Sequence, residues 1–230
     1  MRISIMQPYI FPYIGYFQLI RDADIFVVYD DVNYTKRSWI TRNRILLNKT
    51  SYTFSLHTQG ASSQKKINEI NMGNKRKSLV KTLVCAYRKA PYFSEVMPLI
   101  EDILMFGEPK LALYLMHQLQ TISAYLGLQT KFILSSGIPK NEDLTGQEKI
   151  LSICKALNAD AYSNAIGGQQ LYSAQDFLTQ GIDLKFIKSD YIEYPQFGND
   201  FIPWLSIIDV MMFNSNRTVR DFLTAYQRIS

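Results

Sequence analysis

The sequence predicts an α/β fold: a mostly parallel, Rossmann-like sheet with a β-hairpin and a helical insertion. Three observations carry this expectation. Arg2–Met6 and Ile25–Tyr29 are short β-prone runs separated by Tyr13–Asp22, whose apolar residues recur at near-helical spacing, so the chain opens as a β-α-β unit. After residue 130 the same alternation resumes. Between the two stretches, lysine- and arginine-punctuated helical patterns replace strands.

In chain order, Arg2–Met6 ends at Gln7-Pro8, where proline removes a ladder donor. Pro12 suits the first turn of the helix that follows. Ile25–Tyr29 is a continuous apolar run, as in a strand buried on both faces. Arg44–Leu47 and Tyr52–Leu56 read as a hairpin turned near Asn48–Ser51, with His57 on it. A helix is expected near Lys75–Arg88, and Pro91, Pro98 and Pro109 are expected to divide the middle into short helices before a longer one to Leu126. Lys131–Leu134, Ala161–Asn164 and Leu184–Ile187 read as strands. Thr145 is expected to cap a helix in a box with Glu148. Ala174–Gln180 reads as a helix, Pro203 as the start of another to Phe213, and Val219–Arg228 as a last one. No linker-like stretch interrupts the chain, so residues 1–230 read as one domain, with roughly 66–128 as an insertion or cap.

Composition narrows the function. The chain has 230 residues, 47% hydrophobic and 20% charged, which is ordinary for a globular protein and excludes fibrous and disordered classes. Two cysteines far apart, Cys85 and Cys154, and two histidines, His57 and His117, do not make a zinc site, and the thiols read as buried and reduced in a cytoplasmic protein. The apolar start is broken by Pro8 and Pro12, and the stretch Leu111–Leu128 contains His117, Gln118 and Gln120, so neither reads as a signal peptide or membrane span. The net charge of +5 is unevenly spread: Asp30–Ala90 holds 13 Lys and Arg against 3 Asp and Glu. Such a block suits an anionic partner, or is a solvated basic surface.

Open parallel sheets bind ligands beyond the carboxyl ends of their strands. The predicted ends are Gln7-Pro8-Tyr9, Asp30-Asp31, Ser135–Gly137, Ala165–Gly168 and Ser189-Asp190. Asp30 and Asp31 are the candidate catalytic acids: they could act as base, metal ligand or ribose anchor, or simply form a turn. If the chain there is extended, one faces the cleft and the other faces away. Lys36, Arg37, Trp39, Arg42, Asn43 and Arg44 form a basic segment whose guanidinium groups could grip phosphate while Trp39 stacks on a base or sugar. Gly167-Gly168 after a strand could let a ligand approach the backbone, although two glycines also suit an ordinary turn. The dense aromatics Tyr9, Phe11, Tyr13, Tyr16 and Phe17 read mainly as core. The expectation that matters most is that the acidic doublet and the arginine-rich stretch line one pocket.

The segments MQPYIFPYIGYFQLI, DIFVVYDDVNYTKRSWITRNRI, GQEKILSICKALNADAYSNAIGGQQLY and YPQFGNDFIPWLSIIDVMM closely resemble the WbqC-like family of bacterial proteins. That resemblance implies a role in O-antigen or other surface-polysaccharide assembly. It marks Gln7, Pro8, Gly15, Asp30, Asp31, Lys36, Arg37, Trp39, Arg42, Asn43, Arg44, Lys155, Gly168, Tyr172 and Pro203 as matching positions. Gln169 and Gln170 stand where the family favours a lysine or an acid. A second, fold-level resemblance links Tyr13-Ile14-Gly15-Tyr16 to nucleotidylyltransferases with an HxGH signature, both histidines being replaced by tyrosine. Tyrosine donates one hydrogen bond but carries no positive charge at neutral pH.

The expected function is a transferase acting on a nucleotide-activated or phosphorylated sugar, with acyl or aminoacyl transfer to an amino sugar as the specific form. The alternatives are a non-catalytic nucleotide-sugar-binding module and a divergent nucleotidylyltransferase. The sequence does not identify a cofactor, and a metal enters only through Asp30 or Asp31 as a ligand. The expected partner is a phosphorylated or nucleotide-linked small molecule, nucleic acid is disfavoured, and a homodimer is compatible with the sequence.

Overall fold

A computed structural model describes residues 1–141, 143–198 and 200–230. The chain runs β1 (Arg2–Met6), α1 (Ile14–Asp22), β2 (Ile25–Val28), β3 (Arg42–Leu47), β4 (Thr50–Ser55), β5 (Thr58–Gln59), β6 (Asn71–Met72), α2 (Arg76–Tyr87), α3 (Phe93–Met105) and α4 (Leu111–Tyr125). It continues through β7 (Lys131–Leu134), α5 (Gly146–Ala156), β8 (Ala161–Ala165), α6 (Ala174–Thr179), β9 (Asp183–Ser189), α7 (Ile207–Phe213), α8 (Asn216–Phe222) and β10 (Tyr226–Ile229). The protein is therefore mixed α/β.

Its main sheet has the order β10-β9-β8-β1-β2-β7. All pairs are parallel except β10 with β9. From β1 the chain winds outward through β2 to β7, then returns to the other side of β1 for β8 and β9. The strand order thus reverses between β1 and β8, the place where such sheets open a crevice at their carboxyl ends.

Alternation along the strands divides the core. Phe26 and Val28 join a large cluster with α1, α2, α3, α4 and α7, whereas Ile3, Ile5 and Val27 join a second cluster with Ile150 and Ile153 of α5 and Phe177 of α6. Helices thus cover both faces, which is why β2 reads as an uninterrupted apolar run. Ser4 and Ser163 are fully buried in neighbouring strands, and Ser163 donates to Asp22 at the end of α1 (2.6 Å).

Asp22 ties the edge of the sheet to its centre. It also accepts from Tyr226 Oη (3.0 Å) and Arg228 Nε (2.6 Å) of β10, while Arg2 Nε lies 3.6 Å away. Here the structure corrects the sequence reading: the expected last helix stops at Phe222, and Tyr226–Ile229 is an antiparallel edge strand. A four-residue strand gains its identity from the partner it pairs with, so local pattern does not reveal it.

Other expectations also change. Helix α3 continues through Pro98 instead of breaking there. Thr145 starts α5 without a side-chain cap, so the expected box with Glu148 does not form. Helix α7 begins after Ser206, whose Oγ accepts from Ile208 N–H, and not at Pro203. The hairpin turns on two residues, Asn48 (φ 49°) and Lys49 (φ 63°), the left-handed pair of a type I′ turn. Cys154 is buried, its thiol pushed up to about 12 mainly by burial, but Cys85 lies exposed on α2. No helix among the described residues is long and apolar enough to cross a membrane.

Asp22→Ala leaves Arg228, Tyr226 and Ser163 without their acceptor, so it is expected to lower stability by about 3 kcal/mol. Urea denaturation monitored by circular dichroism measures this; a loss within experimental error would mean that the cluster does not hold β10 to the sheet.

Candidate functional site

The loop Gln7–Tyr13 after β1 makes a sharp bend, with Phe11 at φ 42°. Such a conformation is costly for a bulky residue and needs outside support. Three elements supply it. Asn43 of β3 donates through Nδ2 to Ile10 O (3.0 Å) and Phe11 O (2.6 Å). Gln118 of α4 accepts from Phe11 N–H (2.9 Å) and donates to Tyr9 O (3.2 Å). Ser206, just before α7, donates to Phe11 O (2.8 Å).

This support aims Tyr9 and Tyr13 into a cleft of about 280 Å³ lined by Tyr9, Tyr13, Trp39, Asn43, Arg44 and Trp204. Tyr13 N–H donates to Tyr9 Oη (3.3 Å), and burial raises the pKa of both phenols. Gly15 is needed beside them, because a Cβ there would meet the Tyr13 ring at 2.4 Å and Ser189 Oγ at 2.6 Å. Ser189 ends β9, so the cleft lies at the carboxyl rim of the sheet. Arg44 joins its two tryptophans: the guanidinium stands 5.7 Å from the Trp39 ring and donates through Nη2 to Trp204 O (3.2 Å). Trp39 and Trp204 are about half exposed, at 52% and 54%, so their rings face solvent instead of filling core. Trp204 also holds φ 61°, a strained setting for a large side chain. A narrower recess continues from Tyr13 and Trp204 along Ser189, Asp190 and Tyr194.

The wall of that recess is fastened by Asp209 of α7. This fully buried carboxylate accepts from Tyr87 Oη (2.7 Å), Tyr194 Oη (2.8 Å) and Gln196 Nε2 (2.7 Å). Burial raises its pKa, and the three donors only partly offset that.

The acidic doublet lies elsewhere. Asp30 is fully buried and accepts from Ser136 N–H (2.9 Å) and Ser136 Oγ (2.7 Å), which joins the ends of β2 and β7. Asp31 pairs with Lys140 Nζ (2.9 Å) and Lys149 Nζ (3.1 Å), the latter from α5. Lys149 also donates to Asp31 O (3.1 Å) and sits over the Tyr29 ring. Burial alone would raise the Asp31 pKa, but hydrogen bonds from Lys140, Ser135 and Lys149 outweigh it and hold the carboxyl below its ordinary value. Neither aspartate lines the aromatic cleft.

The remaining candidates divide in the same way. Trp39, Asn43, Arg44 and Tyr9 meet at the cleft, but Asn43 is consumed in holding the loop. Lys36 and Arg37 are exposed, and Arg37, at φ 60°, accepts through its carbonyl from Arg42 Nη1 (3.2 Å). Gln7 is exposed, with its carbonyl accepting from Tyr16 Oη (3.0 Å), while Pro8 is buried. Gly167 is open, whereas a side chain at Gly168 would meet Asn164 Nδ2 at 2.8 Å. Tyr172 packs edge-on against Tyr162 and Phe177, away from the cleft. Trp204, Lys140, Lys149 and Asp209 were missed as site or framework residues. The lone tryptophan after Pro203 was the available signal for Trp204; the lysines carry none, since their partner is 109 and 118 residues away.

Comparison with known proteins now places the chain. Residues 7–221 match the WbqC-like protein family. The chain belongs to that family. The uncharacterized protein Rv1507c of Mycobacterium tuberculosis (strain ATCC 25618 / H37Rv) is 29% identical over 231 residues, covering 96% of this chain and 97% of that protein. No solved structure matches. The matched stretch includes the loop Gln7–Tyr13, the hairpin and Trp204, so every residue lining the aromatic cleft falls within this WbqC-like region. The HxGH-like tetrad is also inside it. Tyr16 there is 3% exposed with its hydroxyl spent on Gln7, so it does not present a donor to the cleft.

Asp31→Asn takes from the buried Lys149 the carboxylate it pairs with and is expected to cost about 3–5 kcal/mol at pH 7. Because the folded pKa of Asp31 is depressed, its contribution is fully present above the ordinary value of 3.8 and disappears as pH falls through the folded value. Denaturation curves from pH 7 to pH 3 check both points; a variant as stable as the parent at pH 7 would refute the pairing.

Proposed function

We propose that this WbqC-like protein is a cytoplasmic transferase of bacterial surface-polysaccharide assembly that binds a nucleotide-linked or phosphorylated sugar in the aromatic cleft. The observation that carries this reading is the pair of half-exposed tryptophans bridged by Arg44 at the carboxyl rim of a parallel sheet. Flat rings with solvent-facing surfaces suit the apolar C–H face of a sugar, and a guanidinium suits a phosphate or carboxylate. A volume of about 280 Å³ lies at the lower edge of the roughly 300–1,000 Å³ span of small-molecule sites. It suits one sugar ring with its phosphate, the rest of a nucleotide extending outside. The transfer step would form an amide between the amine of an amino sugar and the acyl or aminoacyl carbon of an activated donor, breaking that carbon's bond to its activating group, which leaves as the amine loses a proton.

In this reading Asp30 and Asp31 serve the framework, since their carboxylates are engaged by Ser136, Lys140 and Lys149. Among the described residues the cleft then presents Arg44 as its charged side chain and no carboxylate, which favours a second reading: a binding module without catalysis. Incubation with an amino-sugar nucleotide and an activated acyl donor, followed by mass spectrometry, separates the two, because only a transferase yields acylated product.

Binding is tested by thermal shift and calorimetry with a panel of nucleotide-sugars and sugar phosphates, with and without magnesium. Trp39→Ala, Trp204→Ala and Arg44→Ala are each expected to weaken the ligand that binds by about tenfold or more. Asp30→Asn is expected to lower stability with little change in affinity. If no ligand shifts the folded protein, or if the three cleft variants bind like the parent, the cleft is not the site.

A further inference from the structure

Among the described residues the aromatic cleft takes Arg44 from the basic block as a charged group. Lys75 of the same block borders a second feature. Strand β4 pairs with β3 on one side only, and its other edge borders a groove of about 500 Å³. One wall of the groove is Tyr52–Thr58, and the other is the first half of α2 with Lys75, Ser78 and Thr82.

The direction of the backbone groups follows from the hairpin register. Leu56 N–H donates to Thr41 O (2.7 Å), so residue 56 faces β3. In an antiparallel pair this alternates, so Phe54, Tyr52 and Thr50 also face β3, whereas Ser51, Thr53 and Ser55 turn their N–H and C=O groups outward. The next outward position, His57, is occupied: its carbonyl accepts from Gly73 N–H (2.8 Å). Among the described residues no backbone group meets Ser51, Thr53 or Ser55 on that side. The edge is therefore closed at His57 and open for five residues before it. Proline and inward-pointing charge, common devices for blunting such an edge, are absent from Thr50–Ser55.

Charge selects the occupant. Residues 50–90 contain eight lysines and arginines and one acid, Glu69. A second copy of the chain would bring an equally basic face to the edge, which repels. We infer that the open edge of β4 docks an extended acidic segment of a partner protein, added as a third strand in the groove between β4 and α2. The outward amides and carbonyls supply a sequence-tolerant ladder, and Lys75, exposed where it lines the groove at the start of α2, supplies the preference for acidic side chains.

Because the ladder is indifferent to sequence, a generic probe suffices. A fluorescein-labelled peptide of alternating glutamate and valine is titrated into the full chain and followed by anisotropy. A lysine–valine peptide and a single-stranded oligonucleotide are run beside it. The glutamate peptide is expected to bind saturably with a Kd below about 1 mM, to weaken as salt rises, and to slow hydrogen exchange of the Thr53 and Ser55 amides. Lys75→Glu lies on an exposed surface and should leave thermal stability unchanged while weakening the peptide about tenfold or more. Thr53→Pro removes an outward N–H that β3 does not use, and should abolish binding with the circular dichroism spectrum preserved. The inference fails if the glutamate peptide does not bind, or if the lysine peptide binds equally well. It also fails if the oligonucleotide binds instead without protecting Thr53 and Ser55, or if both variants bind like the parent.

Discussion

The bend at Phe11 is the constraint on which the aromatic cleft depends. A bulky residue at positive φ does not hold that conformation by itself. Here it is held because Asn43, Gln118 and Ser206 each contribute hydrogen bonds to the same few backbone groups. Those three side chains come from the hairpin, the helical middle and the region after the last parallel strand. The bend therefore does more than connect β1 to α1: it is the place where three separated parts of the chain are fastened together. Ile10 N–H on Ile40 O and Ile207 N–H on Pro12 O reinforce the same junction. Tyr9, Tyr13, Arg44 and Trp204 reach one cleft as a consequence.

Buried charge is managed in three ways around that frame. Asp22 is shared between two strands and a helix with Arg228 as its close cation. Asp31 is balanced by two lysines, which lowers its pKa. Asp209 meets two phenols and an amide and, among the described residues, no cation, so burial raises its pKa. The linkage signs are opposite: Asp31 stabilises the fold above its depressed folded value, whereas Asp209 opposes it as pH climbs through its raised one. In the first two cases a cation offsets the cost of burial; in the third the arrangement holds the segment that carries Tyr194 and Gln196 against the helix behind the cleft.

Much of the fold was readable because its signals are local. An unbroken apolar run implied that β2 is covered on both faces, and helical spacing placed α1 within one residue of its observed start. The errors occurred where tertiary partners outweighed local pattern. Helix α3 accommodates Pro98, Tyr226–Ile229 becomes a strand because β9 offers it an edge, and Ser206 instead of Pro203 begins α7. The candidate site was legible only in its components. Trp39 and Arg44 stood out as a tryptophan and a fork-shaped cation in a basic segment, but nothing local paired them with a tryptophan 160 positions beyond Arg44. Conversely, Asp30 and Asp31 stand out as adjacent acids after a strand, and nothing local reveals that Ser136, Lys140 and Lys149 engage their carboxylates.

What the sequence determined by itself is the periodicity: which stretches are strand or helix, that the sheet is mostly parallel, and that positive charge concentrates between residues 30 and 90. These follow from the spacing of apolar and charged side chains along a few neighbouring residues. Only the tertiary structure decided which polar side chains line an open cleft and which face one another. That choice turns on hydrogen-bond partners more than a hundred residues apart, and on which strand edges are left unpaired once the chain has closed on itself.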